Sequence, residues 1–273
     1  MSPRHVAKSD LTRTVSGGRE TAGMYDPRQR PLALRLLAAG FTIAEVNRQT
    51  GIPTSTLGNW KKHPEKAANH TPPLCPRCHD QAIDPAAYSY LFGLYLGDGH
   101  LARQRNGVHR LEIACSDTWP GLIDAAAEAV GAVLTSRVGR RQKPGCTMVG
   151  SYSTHWPCLF PQHGPGMKHT RKIELAGWQR EIVDERTEEF VRGLIHSDGC
   201  RVTNRVRKRL GGGDRWYEYP RYNFANVSLD IQGLFTDALD RLGIAWRQMN
   251  EKNISVAKRE AVARLDEFVG PKY

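Results

Sequence analysis

One ten-residue pattern occurs twice in this chain. Tyr90-Leu91-Phe92-Gly93-Leu94-Tyr95-Leu96-Gly97-Asp98-Gly99 and Phe190-Val191-Arg192-Gly193-Leu194-Ile195-His196-Ser197-Asp198-Gly199 share Gly-Leu at the fourth and fifth places and Asp-Gly at the end. Each reads as an apolar helix ending on a carboxylate. A glycine inside a helix costs about 1 kcal/mol relative to alanine, so two of them need a packing reason. Gly93 and Gly97, and likewise Gly193 and Ser197, are four apart and share a helix face. That spacing lets two helix backbones approach closely. If the two helices pack on each other, Asp98 and Asp198 emerge side by side, and such carboxylates repel unless a cation lies between them.

Charge narrows the partners. The 273 residues carry 39 Lys and Arg against 28 Asp and Glu, a formal net charge of +11, which favours a polyanion. No apolar run approaches the length of a membrane span, and the N-terminus lacks an apolar signal core. Nucleic acid is therefore expected as the partner and membrane is not. Cys75, Cys78, Cys115, Cys146, Cys158 and Cys200 are scattered through a chain too large to need staples, and read as reduced thiols of a cytoplasmic, nucleoid-associated protein.

The paired stretches resemble the motif of the LAGLIDADG homing endonucleases in its two-copy, single-chain form. The resemblance covers roughly residues 85–273, and its specificity comes from the repeat. It implies an α+β fold: a pseudo-twofold saddle of two αββαββα repeats, here 87–182 and 183–273, in one monomeric pseudo-dimeric chain. It also implies Asp98 and Asp198 as catalytic metal ligands, with the backbone carbonyls of Gly97 and Ser197 completing the coordination. Magnesium suits a set of oxygen donors. A basic residue near the scissile phosphate is implied too, with Lys168 and Lys258 as candidates. His196 departs from the acidic residue often found at its place in the motif.

Taken in order, residues 1–24 read as a disordered basic leader. Over 25–63, a helix from Arg28 to Ala39 stops at Gly40. Thr42 and Glu45 form a capping-box pattern opening a helix from Ile43 to Gln49, and after Gly51 a third helix begins at Pro53 and reaches about Lys62. Ile43, Val46, Ile52, Leu57 and Trp60 are its expected core. This three-helix pattern resembles the helix-turn-helix of resolvases, transposases and repressors, which implies a third helix in the major groove presenting Thr54, Ser55, Asn59, Lys61 and Lys62. Arg28, Arg30, Arg35 and Arg48 add positive charge.

Residues 64–86 read as a Pro-rich linker carrying Cys75-Pro76-Arg77-Cys78-His79. Cys-x-x-Cys on such a loop is half of a zinc knuckle, and a structural zinc normally takes four ligands. His63, His70 and His79 are nearby candidates, and Cys158 or His163 could join from afar. A bare thiol pair is the alternative.

In the first repeat, strands are expected at His100–Arg105, Val108–Ser116, Leu134–Gln142 and Thr147–Thr154, with helices over Trp119–Val130 and near His155–Phe160. In the second, strands are expected at Cys200–Arg209, Arg215–Leu229, Ala245–Asn250 and Asn253–Ala257, with helices over Asp230–Leu242 and Arg259–Phe268. The stretch Cys200–Arg209 alternates: Arg201, Thr203, Arg205, Arg207 and Arg209 share one face, Val202 and Val206 the other. With Arg103, Arg105, Arg137 and Arg141 they form the expected contact surface for double-stranded DNA, interrupted by Glu112 and Glu218 alone. Two functions fit this reading: a metal-dependent DNA endonuclease, or a DNA-binding transcriptional regulator that keeps the fold without cutting.

Overall fold

The computed structural model describes residues 25–69, 75–134, 136–210 and 213–272. The expected basic leader over 1–24 and the candidate ligand His70 lie outside the described residues. The chain divides into two compact units, Met1–Thr71 and Pro72–Tyr273. No helix among the described residues is long and apolar enough to cross a membrane.

The smaller unit holds α1 (Arg30–Ala38), α2 (Ile43–Thr50), α3 (Thr54–Lys62) and α4 (Pro64–Asn69). The capping box at the start of α2 forms as the sequence indicates. Glu45 N donates to Thr42 Oγ1 at 3.3 Å and Thr42 N donates to Glu45 Oε2 at 2.8 Å, satisfying two helix-end amides. Gly51 takes the left-handed conformation at φ 69°, and Asn47 Nδ2 braces the turn by donating to Ile52 O at 2.7 Å. Ala33, Leu36, Val46, Ile52, Leu57 and Trp60 fill the core, with Ile43 only partly buried at its edge.

Two features of this unit go beyond what the sequence shows. The start of the linker is helical, because Pro64 opens a turn that carries Ala67 into the core. Arg30 is buried rather than displayed: its guanidinium donates to Ala67 O and lies 4.8 Å from the centre of the Trp60 ring.

The larger unit begins at α5 (Pro85–Asp98), whose first amides are capped by Asp84 Oδ1 at 2.9 and 3.0 Å. It continues through β1 (Gly99–Arg103), β2 (His109–Ser116), α6 (Pro120–Val133), β3 (Gly139–Lys143), β4 (Cys146–Ser153), α7 (Trp156–Leu159) and α8 (Gly177–Glu185). The second repeat follows as α9 (Thr187–Asp198), β5 (Gly199–Leu210), β6 (Gly213–Ala225), α10 (Leu229–Arg241), β7 (Arg247–Asn250), β8 (Asn253–Val256) and α11 (Arg259–Phe268). Each repeat makes one antiparallel four-stranded sheet, in the orders β1-β2-β4-β3 and β5-β6-β8-β7. This is the twofold αββαββα plan that the repeated motif implies.

The motif helices pack on each other at their glycines. A methyl group on Gly93 would lie 2.6 Å from Phe190 O, and one on Gly193 would meet Tyr90 O and stand 3.0 Å from Gly93 Cα. No side chain fits there, which is the packing reason the sequence asks for. Phe92 and Phe190 stack across the same contact at 5.7 Å between ring centres.

Several boundaries move for identifiable reasons. Helix α8 lies where none was expected: Trp178, Ile182 and Val183 turn to the core at helical spacing, and Gln179 is buried among them, held by Tyr88 Oη and Gln162. Leu134 is a buried residue closing α6, and β3 starts only at Gly139, so Arg137 precedes the strand. Strand β6 ends at Ala225, before Leu229, because Ser228 caps α10. Only Tyr222–Ala225 of β6 pairs with β8, so the outer parts of β5 and β6 form a two-stranded ribbon. Val202 and Val206 are 38% and 40% exposed there, so the partly apolar face of β5 meets solvent.

Candidate active site

In both repeats the chain passes from helix to strand at the aspartate itself. Asp98 is the last residue of α5 and Asp198 the last of α9, and a glycine opens the strand each time. That glycine is sterically required. A methyl on Gly199 would lie 2.7 Å from Ile195 Cα, and one on Gly99 would strike Tyr95. The crossing of α5 and α9 at their glycines brings the two helix tips together, with Gly97 against Ser197 and 3.0 Å between an added methyl at Gly97 and Asp198 Cγ.

The carboxylates feel this placement. Burial raises the Asp98 carboxyl to about 6, and the neighbouring Asp198 charge adds to the rise. Burial also raises Asp198, against the hydrogen bond that Asn226 Nδ2 donates to Asp198 Oδ2 at 2.6 Å. Two lysines oppose both shifts. Lys168 Nζ donates to Tyr95 O at 2.5 Å and Gly97 O at 2.7 Å, and Lys272 Nζ donates to Gly199 O at 2.6 Å. Burial lowers the Lys168 ammonium to about 8, opposed by the Asp198 and Asp98 charges. Arg171 shapes the loop that carries Lys168, its Nη1 donating to Gly164 O at 2.6 Å and Gly166 O at 3.0 Å. A cleft of about 620 Å³ opens beside this group, lined in part by Gly97, His100, Lys168, Asp198, Asn226 and Lys252.

Of the sequence candidates, Asp98, Asp198, Gly97, Ser197 and Lys168 come together. Lys258 does not join them: it caps the start of α11 and is exposed, and Lys272 supplies the second ammonium instead. The Ser197 hydroxyl turns back onto its own helix, donating to Leu194 O at 3.0 Å and Gly193 O at 3.1 Å. His196 is buried between Tyr90 Oη and Val269 O, each at 2.9 Å, and burial lowers its imidazole to about 4. With Nε2 donating to the carbonyl, Nδ1 accepts from the tyrosine, so His196 serves packing as a neutral ring.

Lys272 and Asn226 were missed. Neither sits in a recurring pattern, and Asn226 reads as part of a strand until Ser228 is recognised as a helix cap.

Thr54, Ser55, Asn59, Lys61 and Lys62 are all exposed on α3. Arg103 ends β1, Arg105 opens the turn to β2, and both are exposed. Arg137 is exposed ahead of β3, and the other candidate arginines have acidic partners. Arg141 Nη2 pairs with Glu112 at 2.6 Å, Arg201 with Asp266 at 2.8 Å, and Arg205 with Glu218 at 3.4 Å. Arg207 pairs with Asp214, and Arg209 reaches the same carboxylate at 3.9 Å. Arg205 also lies 4.5 Å from the centre of the half-exposed Trp216 ring. The ribbon thus carries arginines, acids and an aromatic ring together.

No family model matches this sequence, and no curated protein matches it. Solved structures resemble it in fold. One is a LAGLIDADG meganuclease, I-AabMI, bound to uncleaved DNA, at 10% identity and a TM-score of 0.44, covering 68% of this chain and 83% of that one. Another is the N-terminal LAGLIDADG domain of DUF199/WhiA, at 12% identity and 0.42, with the same coverage. A third is the homing endonuclease I-SmaMI bound to cleaved DNA, at 8% identity and 0.43, covering 69% and 84%.

Proposed function

We propose that this protein binds double-stranded DNA and hydrolyses its phosphodiesters as a LAGLIDADG-type endonuclease. The observation that carries the reading is the pair Asp98 and Asp198 at adjoining helix tips, both buried enough to be pushed towards the neutral form. A structural role would be served better by neutral residues, because here desolvation and repulsion oppose the charges. The donor set fits a divalent cation: oxygen atoms of Asp98, Asp198 and the Gly97 and Ser197 carbonyls would hold magnesium. When bound, such an ion lowers the proton affinity of water and stabilises a leaving alkoxide.

The chain's own groups supply the rest. Asp98 and Asp198 act in their charged forms, which Lys168 and Lys272 favour. Lys168, kept protonated below about pH 8, offers a cation to the phosphate from the cleft wall. Asn226 fixes one rotamer of Asp198. The β5–β6 ribbon supplies Arg201, Arg205, Arg207 and Arg209 for phosphate contacts, exchanging their acidic partners for DNA, and α3 supplies Thr54, Ser55, Asn59, Lys61 and Lys62 for a major groove.

A second reading, a regulator that binds without cutting, is favoured by one observation. Lys168 Nζ occupies the Gly97 carbonyl, where it can stand in for an ion. Incubation with a randomised duplex library in magnesium, and in parallel calcium, separates the two. The endonuclease cleaves a selected sequence in magnesium and retains it uncut in calcium, whereas retention without cleavage in both leaves the regulator.

A further inference from the structure

The segment Cys75–Cys78 and the turn at His155–Cys158 lie far apart in the chain and meet in the larger unit. Cys78 Sγ is 3.4 Å from Cys158 Sγ, and Cys158 Sγ is 4.0 Å from His155 Nδ1. With Cys75 they form a group in which three sulfurs and one imidazole nitrogen all lie within 4.8 Å of one another. All three cysteines are free thiols. A tetrahedral zinc bonded to sulfur at about 2.3 Å and nitrogen at about 2.0 Å holds its donor atoms about 3.5–3.8 Å apart. The four atoms, within 4.8 Å of one another, need to draw in by about 1 Å at most to close on such an ion.

Hydrogen bonds and ring contacts hold both halves in place. In the first, His79 N donates to Cys75 O at 3.0 Å, closing a turn over Pro76 and Arg77 that aims both sulfurs the same way. Cys75 N donates to His79 Nδ1 at 2.9 Å, which makes His79 a brace of the loop. Arg77 anchors the turn on α8, its guanidinium 4.5 Å from the centre of the Trp178 ring. In the second half, Cys158 N donates to His155 O at 3.0 Å, so His155 and Cys158 stand on one side of the first turn of α7. Buried Trp156 locks that turn through its Nε1 to Ser151 O at 3.2 Å. The His79 ring meets the His155 ring edge-on at 5.3 Å between centres.

We propose that Cys75, Cys78, His155 and Cys158 bind one zinc ion in a closed structural centre. Three thiols and an imidazole with converging donor atoms form a Cys₃His set, and four protein donors leave no position for substrate. The sequence half-site at Cys75 and Cys78 is thereby completed by His155 and Cys158. His163 turns elsewhere, its ring against His109 at 5.4 Å. The ion fastens the chain just before α5 to α7 of the first repeat. A disulfide between Cys78 and Cys158 would use two of the four donors and give Cys75 and His155 no reason to converge.

The test is elemental analysis of the full chain purified without chelator, with cobalt exchange of the same sample. One zinc per chain is expected, replaceable by cobalt with the intense visible absorption of a tetrahedral thiolate site. C75S, C78S and C158S should each lose the ion, H155C should keep it as a four-cysteine set, and C146S and C200S should leave it unchanged. The wild-type cobalt spectrum remains decisive where a serine variant fails to fold. Wild-type protein without zinc and without the cobalt spectrum overturns the proposal. So does iron in place of zinc, a Cys78–Cys158 disulfide in freshly purified protein, or zinc that survives C158S.

Discussion

The two helix tips are built on one plan and finished differently. Asp198 is held by Asn226, the residue directly after β6, at 2.6 Å. The residue directly after β2 is Asp117, and its carboxylate turns away, accepting from Thr147 Oγ1 at 2.8 Å and Gln142 Nε2 at 2.6 Å. No side-chain hydrogen bond holds Asp98 among the described residues. Each tip also has a lysine, and the two differ in place and in burial: Lys168 lies between α7 and α8 of the first repeat, Lys272 follows the last helix of the second, and Lys168 is pushed further from its ordinary range. The plan is shared, and different surroundings give two carboxylates of unequal restraint. A pair acting on two strands of a duplex need not act on them alike.

The largest expected effect tests whether the tips are equivalent in cutting. Asp98→Asn and Asp198→Asn should each reduce cleavage about a hundredfold or more, since several kcal/mol of charge stabilisation are removed. DNA affinity should hold or rise as repulsion from phosphate falls. Separate scoring of nicked and linear product compares the strands, and a variant cutting both strands at the wild-type rate would remove its aspartate from the site.

Next in size is the glycine contact beneath the tips. Gly93→Ala and Gly193→Ala each press a methyl onto backbone and should cost about 1–3 kcal/mol or more in denaturant unfolding. Gly233→Ala on α10 meets nothing within 4 Å and should instead gain up to about 1 kcal/mol from helix propensity. Equal effects at all three would mean that the helices do not meet as described.

A third comparison uses pH. Asp98 has a folded value near 6 against an ordinary 3.8, so its contribution to stability is fully present below about 4 and lost as pH rises through about 6. Melting curves of wild type and Asp98→Asn should therefore agree near pH 4 and separate by pH 7, with the variant more stable. Asp198→Asn should separate less, because it also weakens the bond from Asn226, whose acceptor becomes a neutral amide oxygen. Added magnesium should narrow both gaps. A wild type that gains on Asp98→Asn as pH rises would reverse the sign and refute the burial argument.

The smallest effect concerns the ribbon. Arg205→Ala should flatten the slope of log affinity against log salt by at most about 0.9, the value for one lost phosphate contact, and by less if Glu218 retains the arginine in the complex. An unchanged slope would mean that Arg205 does not reach phosphate.

Periodicity and spacing made the twin helices, the capping box at Thr42 and the Arg259–Phe268 helix legible in the chain. Those are local signals, complete within a dozen residues. What escaped was created by contacts between distant segments. Arg30 looks like surface charge until α4 and Trp60 close over it. Strand alternation shows that Val202 and Val206 share a face, but not that this face lacks a covering layer. His155 carries no motif of its own and becomes notable only because α7 stands beside Cys75 and Cys78. In the candidate site, the two aspartates and Lys168 could be named from the sequence, whereas Asn226 and Lys272 required the folded chain.

The absence of any loop between motif helix and strand has a mechanical side. Gly199 pairs with Phe224 at the root of the ribbon, and Asp198 is joined to it by a single peptide unit. Such a joint has almost no slack. The ribbon is a long handle, the glycine its pivot, and the carboxylate the short working end. A twist imposed on the handle by whatever it grips arrives at the carboxylate as a change of aim.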